Sequence, residues 1–176
     1  MTPSITLEPV LPEEMASYKE RLQEAFTQAA RAEFPDFPGI IPPERDIDES
    51  LGADGAEALH IVSGGGHVGG AIVSGDGSRM SLDFIFIDPA MQDRHLGLAA
   101  WRAIEARYPE ADRWELVTPY HEKRNIHFYV NRCGFHITEY FNEHHGSPDF
   151  AQEEAGDYPG EDGGLFKFEK LIARPE

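Results

Sequence analysis

The stretch from Phe86 to Trp101 runs from an apolar strand through a turn into the start of a helix. A helix start carries several backbone N–H groups without intrahelical partners and the positive end of the helix dipole. Such a junction suits an anion of the pyrophosphate kind. Gly97 lets a ligand approach the backbone closely, and Arg94 offers a direct charge contact. Glycines near helix starts are common in α/β junctions, so the motif marks an anion site without naming its ligand.

Other chemistry-bearing residues have simpler roles. His121, His127, His136 and the pair His144 and His145 lack the spacing of a zinc site, and Cys133 is the only cysteine, so no metal is expected. Cys133 stands just before Gly134, a structural place without an evident activating base. The glycines 64–66 join two strands and open no helix, which makes them a hairpin turn and not a phosphate loop.

These residues need a scaffold. After a short strand over Ile5 to Glu8, Met15, Tyr18, Leu22, Ala25, Phe26 and Ala29 follow the three-and-four spacing of an amphipathic helix. Pro42 and Pro43 permit only a second short helix near Glu44 to Leu51. Three strands follow as an antiparallel meander: Ala58 to Val62, His67 to Ser74 and Met80 to Ile87. The third alternates, with Leu82, Phe84 and Phe86 on one face and Ser81, Asp83, Ile85 and Ile87 on the other. Leu96, Ala100, Trp101, Ile104 and Tyr108 form one helix face, and Trp114 to Thr118 is a short strand. A helix from Asn125 runs to a Gly134 cap, and the strands Phe135 to Phe141 and Leu165 to Ile172 complete the order. Between them, residues 142–164 are acidic and aperiodic and are expected to form a long flexible loop.

This order resembles the GNAT N-acetyltransferases over nearly the whole chain. The resemblance implies a mixed α/β fold, with a mostly antiparallel central sheet and helices on both faces. The junction is similar to the family's acetyl-CoA loop: Gln or Arg, two residues, Gly, one residue, then Gly or Ala. Two registers fit. Gln92, His95 and Gly97 keep the family's spacing from Pro89 and align the helix face, with His95 where a glycine is usual; Arg94, Gly97 and Ala99 match literally. The first is preferred. Phe86, Ile87, Gln92, Asp93, Arg94, His95, Leu96, Gly97 and Leu98 are then the residues expected around acetyl-CoA, which would lie where the strands Met80 to Ile87 and Trp114 to Thr118 splay apart.

A second feature carries the resemblance. In the family an asparagine at the next helix start bonds the pantetheine arm or adjoining backbone, and a helix tyrosine protonates the departing thiolate. Asn125 and Tyr129 match, although the interval from Tyr129 to Gly134 is one residue longer than the commoner form. The implied reaction is direct acyl transfer to a primary amine, with backbone N–H groups near Ile87 polarising the thioester carbonyl. An alkyl amine arrives mostly protonated, and Asp83, on the strand face assigned to Ile85 and Ile87, is the first candidate to accept its proton. The alternative is a catalytically inactive acetyl-CoA-binding or interaction module of the same fold.

Bulk properties bound the remainder. The 176 residues suit a single domain, and no apolar run approaches the roughly 20 residues needed to cross a bilayer. With 32 acidic side chains against 15 basic ones, the formal charge is −17, which disfavours nucleic acid as a partner. One cysteine and no secretory pattern at the start point to the cytoplasm. The acceptor is left open between a small molecule and a protein amine, and a homodimer is compatible with the family's habit of pairing through sheet edges.

Overall fold

The computed structural model describes residues 3–92, 95–120, 122–142, 144–146 and 164–173 of the chain. Strand β1 (Thr6–Pro9) leads through a short turn, Pro12–Glu14, into α1 (Met15–Glu33) and α2 (Glu44–Leu51). The meander follows as β2 (Glu57–Ser63), β3 (Gly66–Gly75) and β4 (Arg79–Ile87). Next come α3 (Leu96–Arg107), β5 (Arg113–Pro119), α4 (Lys123–His127) with a π-helical turn over Phe128–Arg132, β6 (His136–Phe141) and β7 (Leu165–Leu171).

Each helix forms where one face can be buried. Tyr18, Leu22 and Ala25 point inward from α1, and Ile47 does so from α2. The turn that leads into α1 is closed by Glu14, whose carboxylate accepts the Leu11 N–H at 3.0 Å. Tyr18 lies flat on the sheet because position 70 is glycine: a Cβ there would stand 2.5 Å from the tyrosine ring. The Tyr18 hydroxyl then donates to the Ala71 carbonyl at 3.0 Å, so its burial leaves no orphan donor.

Among the described residues, seven strands form one sheet in the order β1-β2-β3-β4-β5-β7-β6. Every neighbouring pair is antiparallel except β4 and β5. The β2–β3 hairpin closes at Ser63 and Gly66, with Gly64 and Gly65 both at positive φ, the geometry of a tight two-residue turn. Helices α1 and α2 cover one face. Helix α3 and the segment from α4 through the π turn cover the other, where Trp101, Ile104, Trp114, Leu116, Phe135 and Phe168 make the main core.

The expected simple alternation along β4 does not hold. Ile72 pairs with Phe84 while Val73 pairs with Leu82, which leaves Asp83 as an extra residue in a β-bulge. Met80 and Leu82 therefore face α3, whereas Phe84 and Phe86 pack with Tyr18 and Leu22 of α1. Ile85 and Ile87 face α3. Asp83 thus does not share a face with Ile85 and Ile87, since one inserted residue inverts the parity of everything after it.

Most of the stretch 142–164 falls outside the described residues; within them, Asn142 and His145 form a small bridge. No helix among the described residues is long and apolar enough to cross a membrane.

Candidate active site

Strands β4 and β5 pair over only three positions, Arg79 with Arg113, Met80 with Trp114 and Ser81 with Glu115. Beyond Ser81 they diverge, and the bulge at Asp83 sits where the pairing ends. A wedge opens between their C-terminal halves. The Asp88 N–H donates across to Val68 on β3 at 2.8 Å. Because successive N–H groups along a strand point to opposite sides, those of Ile85 and Ile87 point away from β3 and into the wedge.

Helix α3 begins beside the end of β4. His95, its cap, holds φ 59° and ψ 20°, the left-handed region that favours glycine. This is the position where the preferred register replaces the family's glycine by histidine, and the backbone there keeps a glycine-like conformation. Leu96 buries its side chain against Ile61, Val68 and Ala100, so it offers an incoming anion only its N–H. A Cβ on Gly97 would stand 3.4 Å from the Phe128 ring. Gln92 folds back, its amide donating to the Ile87 carbonyl at 3.3 Å, which ties the loop to the strand end. Asp93 and Arg94 lie outside the described residues.

A wedge between parallel strands, with N–H groups on one side and a helix start at its mouth, is an arrangement that comparison with known proteins can place. Residues 19–135 match the family described as the acetyltransferase (GNAT) family. This chain belongs to the GNAT acetyltransferases. Uncharacterized protein YrkN of Bacillus subtilis (strain 168) is 41% identical over 179 residues, covering 99% of this chain and 97% of that protein. An IAA acetyltransferase from Bacillus cereus ATCC 14579 shares the fold with a TM-score of 0.67 at 18% identity, covering 96% of this chain and 100% of its own. An acetyltransferase from Bacillus subtilis, crystallised in complex with CoA, does so with a TM-score of 0.64 at 17% identity, covering 98% and 100%.

The segment from Tyr129 to Gly134 accommodates its extra residue within the helix. The Cys133 N–H donates to Phe128 five residues back at 3.0 Å, and the Phe135 N–H donates to Tyr129 at 2.9 Å. A π turn of this kind absorbs one inserted residue within a helix. Gly134, at φ 85°, then turns the chain into β6 while Phe135 stays fully buried. Tyr129 packs its ring against Phe128, Phe135 and Phe168. Burial, then the nearby Cys133 and Glu122, push its phenol well above the ordinary tyrosine value. The proton therefore stays on the phenol through neutral pH.

The structure separates two carboxylates. Asp83 accepts hydroxyls from Ser50 at 2.5 Å, Ser74 at 3.0 Å and Ser81 at 2.6 Å, which joins α2 to β3 and β4. Much of its accepting capacity is already in use. Glu122, in the connection from β5 to α4, bonds Asn125 and lies close enough to Tyr129 to act on its phenol, and sequence reasoning passed over it. Burial pushes its carboxyl up from the ordinary range, Asn125 works in the opposite direction through its amide, and Glu33 at the end of α1 adds a further upward push. The available signal was an acid midway between the strand-ending Pro119 and Asn125, three residues from each.

Several expected contacts are thereby restricted. Phe86 directs its ring toward α1 at the edge of Tyr18, so only its backbone is open to a cofactor. Asn125 donates its amide to Glu122, a use that the resemblance did not imply. Leu98 packs against the main core. Asp88, expected as a turn residue, also accepts Arg21 at 2.8 Å and so ties α1 to the end of β4. A cavity of about 240 Å³ lined by Arg102, Glu105, Tyr108 and Trp114 lies at the far end of α3, away from these groups.

Proposed function

We propose that this protein transfers the acetyl group of acetyl-CoA to a primary amine by direct attack. What supports the reading is a wedge with a backbone donor and a helix start, together with a buried acid beside a buried phenol after the end of β5. An Ile87 N–H points in, the start of α3 lies at its mouth, and Glu122 stands near enough to Tyr129 to shift its phenol. The donor class is further supported by the structural neighbour crystallised with CoA.

Each residue has a separate task. The N–H groups at the start of α3 hold the pyrophosphate, and Gly97 keeps a side chain out of their way. Bound acetyl-CoA supplies an activated acyl group on a thiol whose ordinary pKa is about 8.5. The Ile87 N–H stabilises the negative charge that develops on the carbonyl oxygen. Glu122 takes one proton from the substrate ammonium, whose ordinary pKa is about 10.4, so that the neutral amine attacks; Tyr129 gives its proton to the departing sulfur, and the second proton that the nitrogen sheds as the amide forms restores the phenol. Glu122 is preferred to Asp83 as the base because serine hydroxyls already occupy the Asp83 carboxylate.

The acceptor is a cationic amine, of a small molecule or a protein, drawn by Glu122, Glu33 and the acidity of the chain. A second reading, binding without turnover, rests on the left-handed His95 at the cofactor loop. Calorimetric titration with acetyl-CoA and with CoA, followed by an amine panel with thiol-release detection, separates them. One-site binding with turnover on any amine supports transfer; binding without turnover on the whole panel supports the second reading. No binding at millimolar ligand sinks both.

A further inference from the structure

Away from the wedge, His60 on β2 presents an unsolved polar requirement. It is 3% exposed, and neither ring nitrogen has a hydrogen-bond partner. An imidazole always carries a lone pair or an N–H on each nitrogen, and leaving either unmet in the interior is costly. Glu14 Oε1 stands 3.3 Å from His60 Nε2, a distance for an ion pair without the alignment of a hydrogen bond. His67 on β3 stacks on the same ring, with centroids 3.8 Å apart and planes 11° from parallel.

We infer that Glu14, His60 and His67 form a site for a divalent transition-metal ion of the zinc class. One donor atom from each of the three lies within 4.8 Å of the others. Glu8 Oε2, 3.7 Å from His67 Nε2, stands ready as a fourth. Two imidazoles and two carboxylates are donors that suit zinc, cobalt or nickel and are poor for magnesium or calcium, which prefer oxygen alone. The donors come from β1, β2, β3 and the turn that opens α1, so the ion would fasten the start of α1 to the outer sheet.

The charges agree with this assignment. Glu14 and Glu8 bring two carboxylates to within 3.3 and 3.7 Å of the His60 and His67 ring nitrogens, charge that suits a dication. Zinc bonds of about 2.0–2.2 Å require the donors to contract and the stacked rings to tilt, since the ion lies in the plane of each imidazole. Exposed His67 has the freedom to do so, while Glu14 stays anchored by the Leu11 N–H and Tyr18, edge-on to His60 at 5.6 Å, holds the buried ring in place. The ion meets the need of one His60 nitrogen.

The test uses the tag-free, metal-stripped full chain. Titration with Zn²⁺ should show one site, and saturating Zn²⁺ should raise the melting temperature by several degrees, because an ion that binds only the folded state stabilises it. Co²⁺ should give visible d–d absorption. His67→Gln changes a partly exposed side chain and should fold normally while losing the site and the cobalt band; Glu14→Gln should weaken binding. The double variant His144→Gln with His145→Gln should leave both signals unchanged. No binding by the parent chain, or binding that persists in His67→Gln, overturns the inference. None of these readouts depends on acetyl transfer.

Discussion

Asn125 donates its side-chain amide to the carboxylate of Glu122, three residues earlier at the start of the same helix. The contact holds a partly buried acid beside the phenol of Tyr129, and burial leaves that acid a stronger proton acceptor than an exposed glutamate. Glu122→Gln should lower turnover by roughly 10²-fold or more with little change in CoA affinity. In the parent enzyme the rate should rise with pH, with a midpoint above the ordinary glutamate value. A full rate in the variant would return the base to Asp83 or to water.

The same residue makes a stability prediction of opposite sign. Its folded-state pKa is raised, so its contribution to stability is greatest below the unfolded value and is lost as pH rises through the folded one. At neutral pH Glu122→Gln should therefore melt no lower than the parent, and the two curves should converge or cross in acid. Loss of activity together with a marked loss of stability would instead make Glu122 a structural residue.

Tyr129→Phe removes one oxygen from a ring whose packing rests on Phe128, Phe135 and Phe168. The melting temperature should change little, CoA should bind as before, and turnover should drop by roughly 10²-fold. Unchanged steady-state rates would assign Tyr129 to the core alone.

His95 and Gly97 give opposed outcomes at one loop. His95→Gly removes a side chain from the left-handed region and should stabilise the fold by about 0.5–1 kcal/mol, the left-handed cost of about 1–2 kcal/mol less the added freedom of an unfolded glycine. Gly97→Glu places a negative charge among the N–H groups at the start of α3 and should raise the CoA dissociation constant at least tenfold, whereas Gly97→Ala meets Phe128 at an ordinary contact distance and should bind nearly as the parent does. Equal CoA affinity in Gly97→Glu would move the phosphate site elsewhere.

Burial pushes the Cys133 thiol up to about 12. Thiol reagents should therefore react with it slowly at pH 8, and Cys133→Ala should retain turnover at a modest cost in stability. Fast modification of the folded protein, with parallel loss of activity, would contradict its structural role.

Much of this architecture is written in local patterns that survive without tertiary contacts. The i, i+4, i+7 stripe of Tyr18, Leu22 and Ala25, the prolines at 42 and 43, the glycine pair at 64 and 65 and the Phe86 to Trp101 junction each act over a few residues. The helices, the meander and the family could be inferred from them. What escaped depended on partners distant in sequence. Whether β4 carries a bulge is decided by its pairing with β3, and that one residue placed Asp83 among serines from α2, β3 and β4 instead of beside Ile85 and Ile87. The extra residue before Gly134 was visible as a count, but only the folded backbone, with Cys133 donating to Phe128, shows that a π turn absorbs it. Glu122 becomes distinctive through burial and Glu33, and His60 through its orphaned nitrogens beside Glu14 and His67. Periodicity along a chain determines which face a residue prefers; desolvation and cross-sheet neighbours decide what its side chain can do, and those exist only once the strands and helices have met.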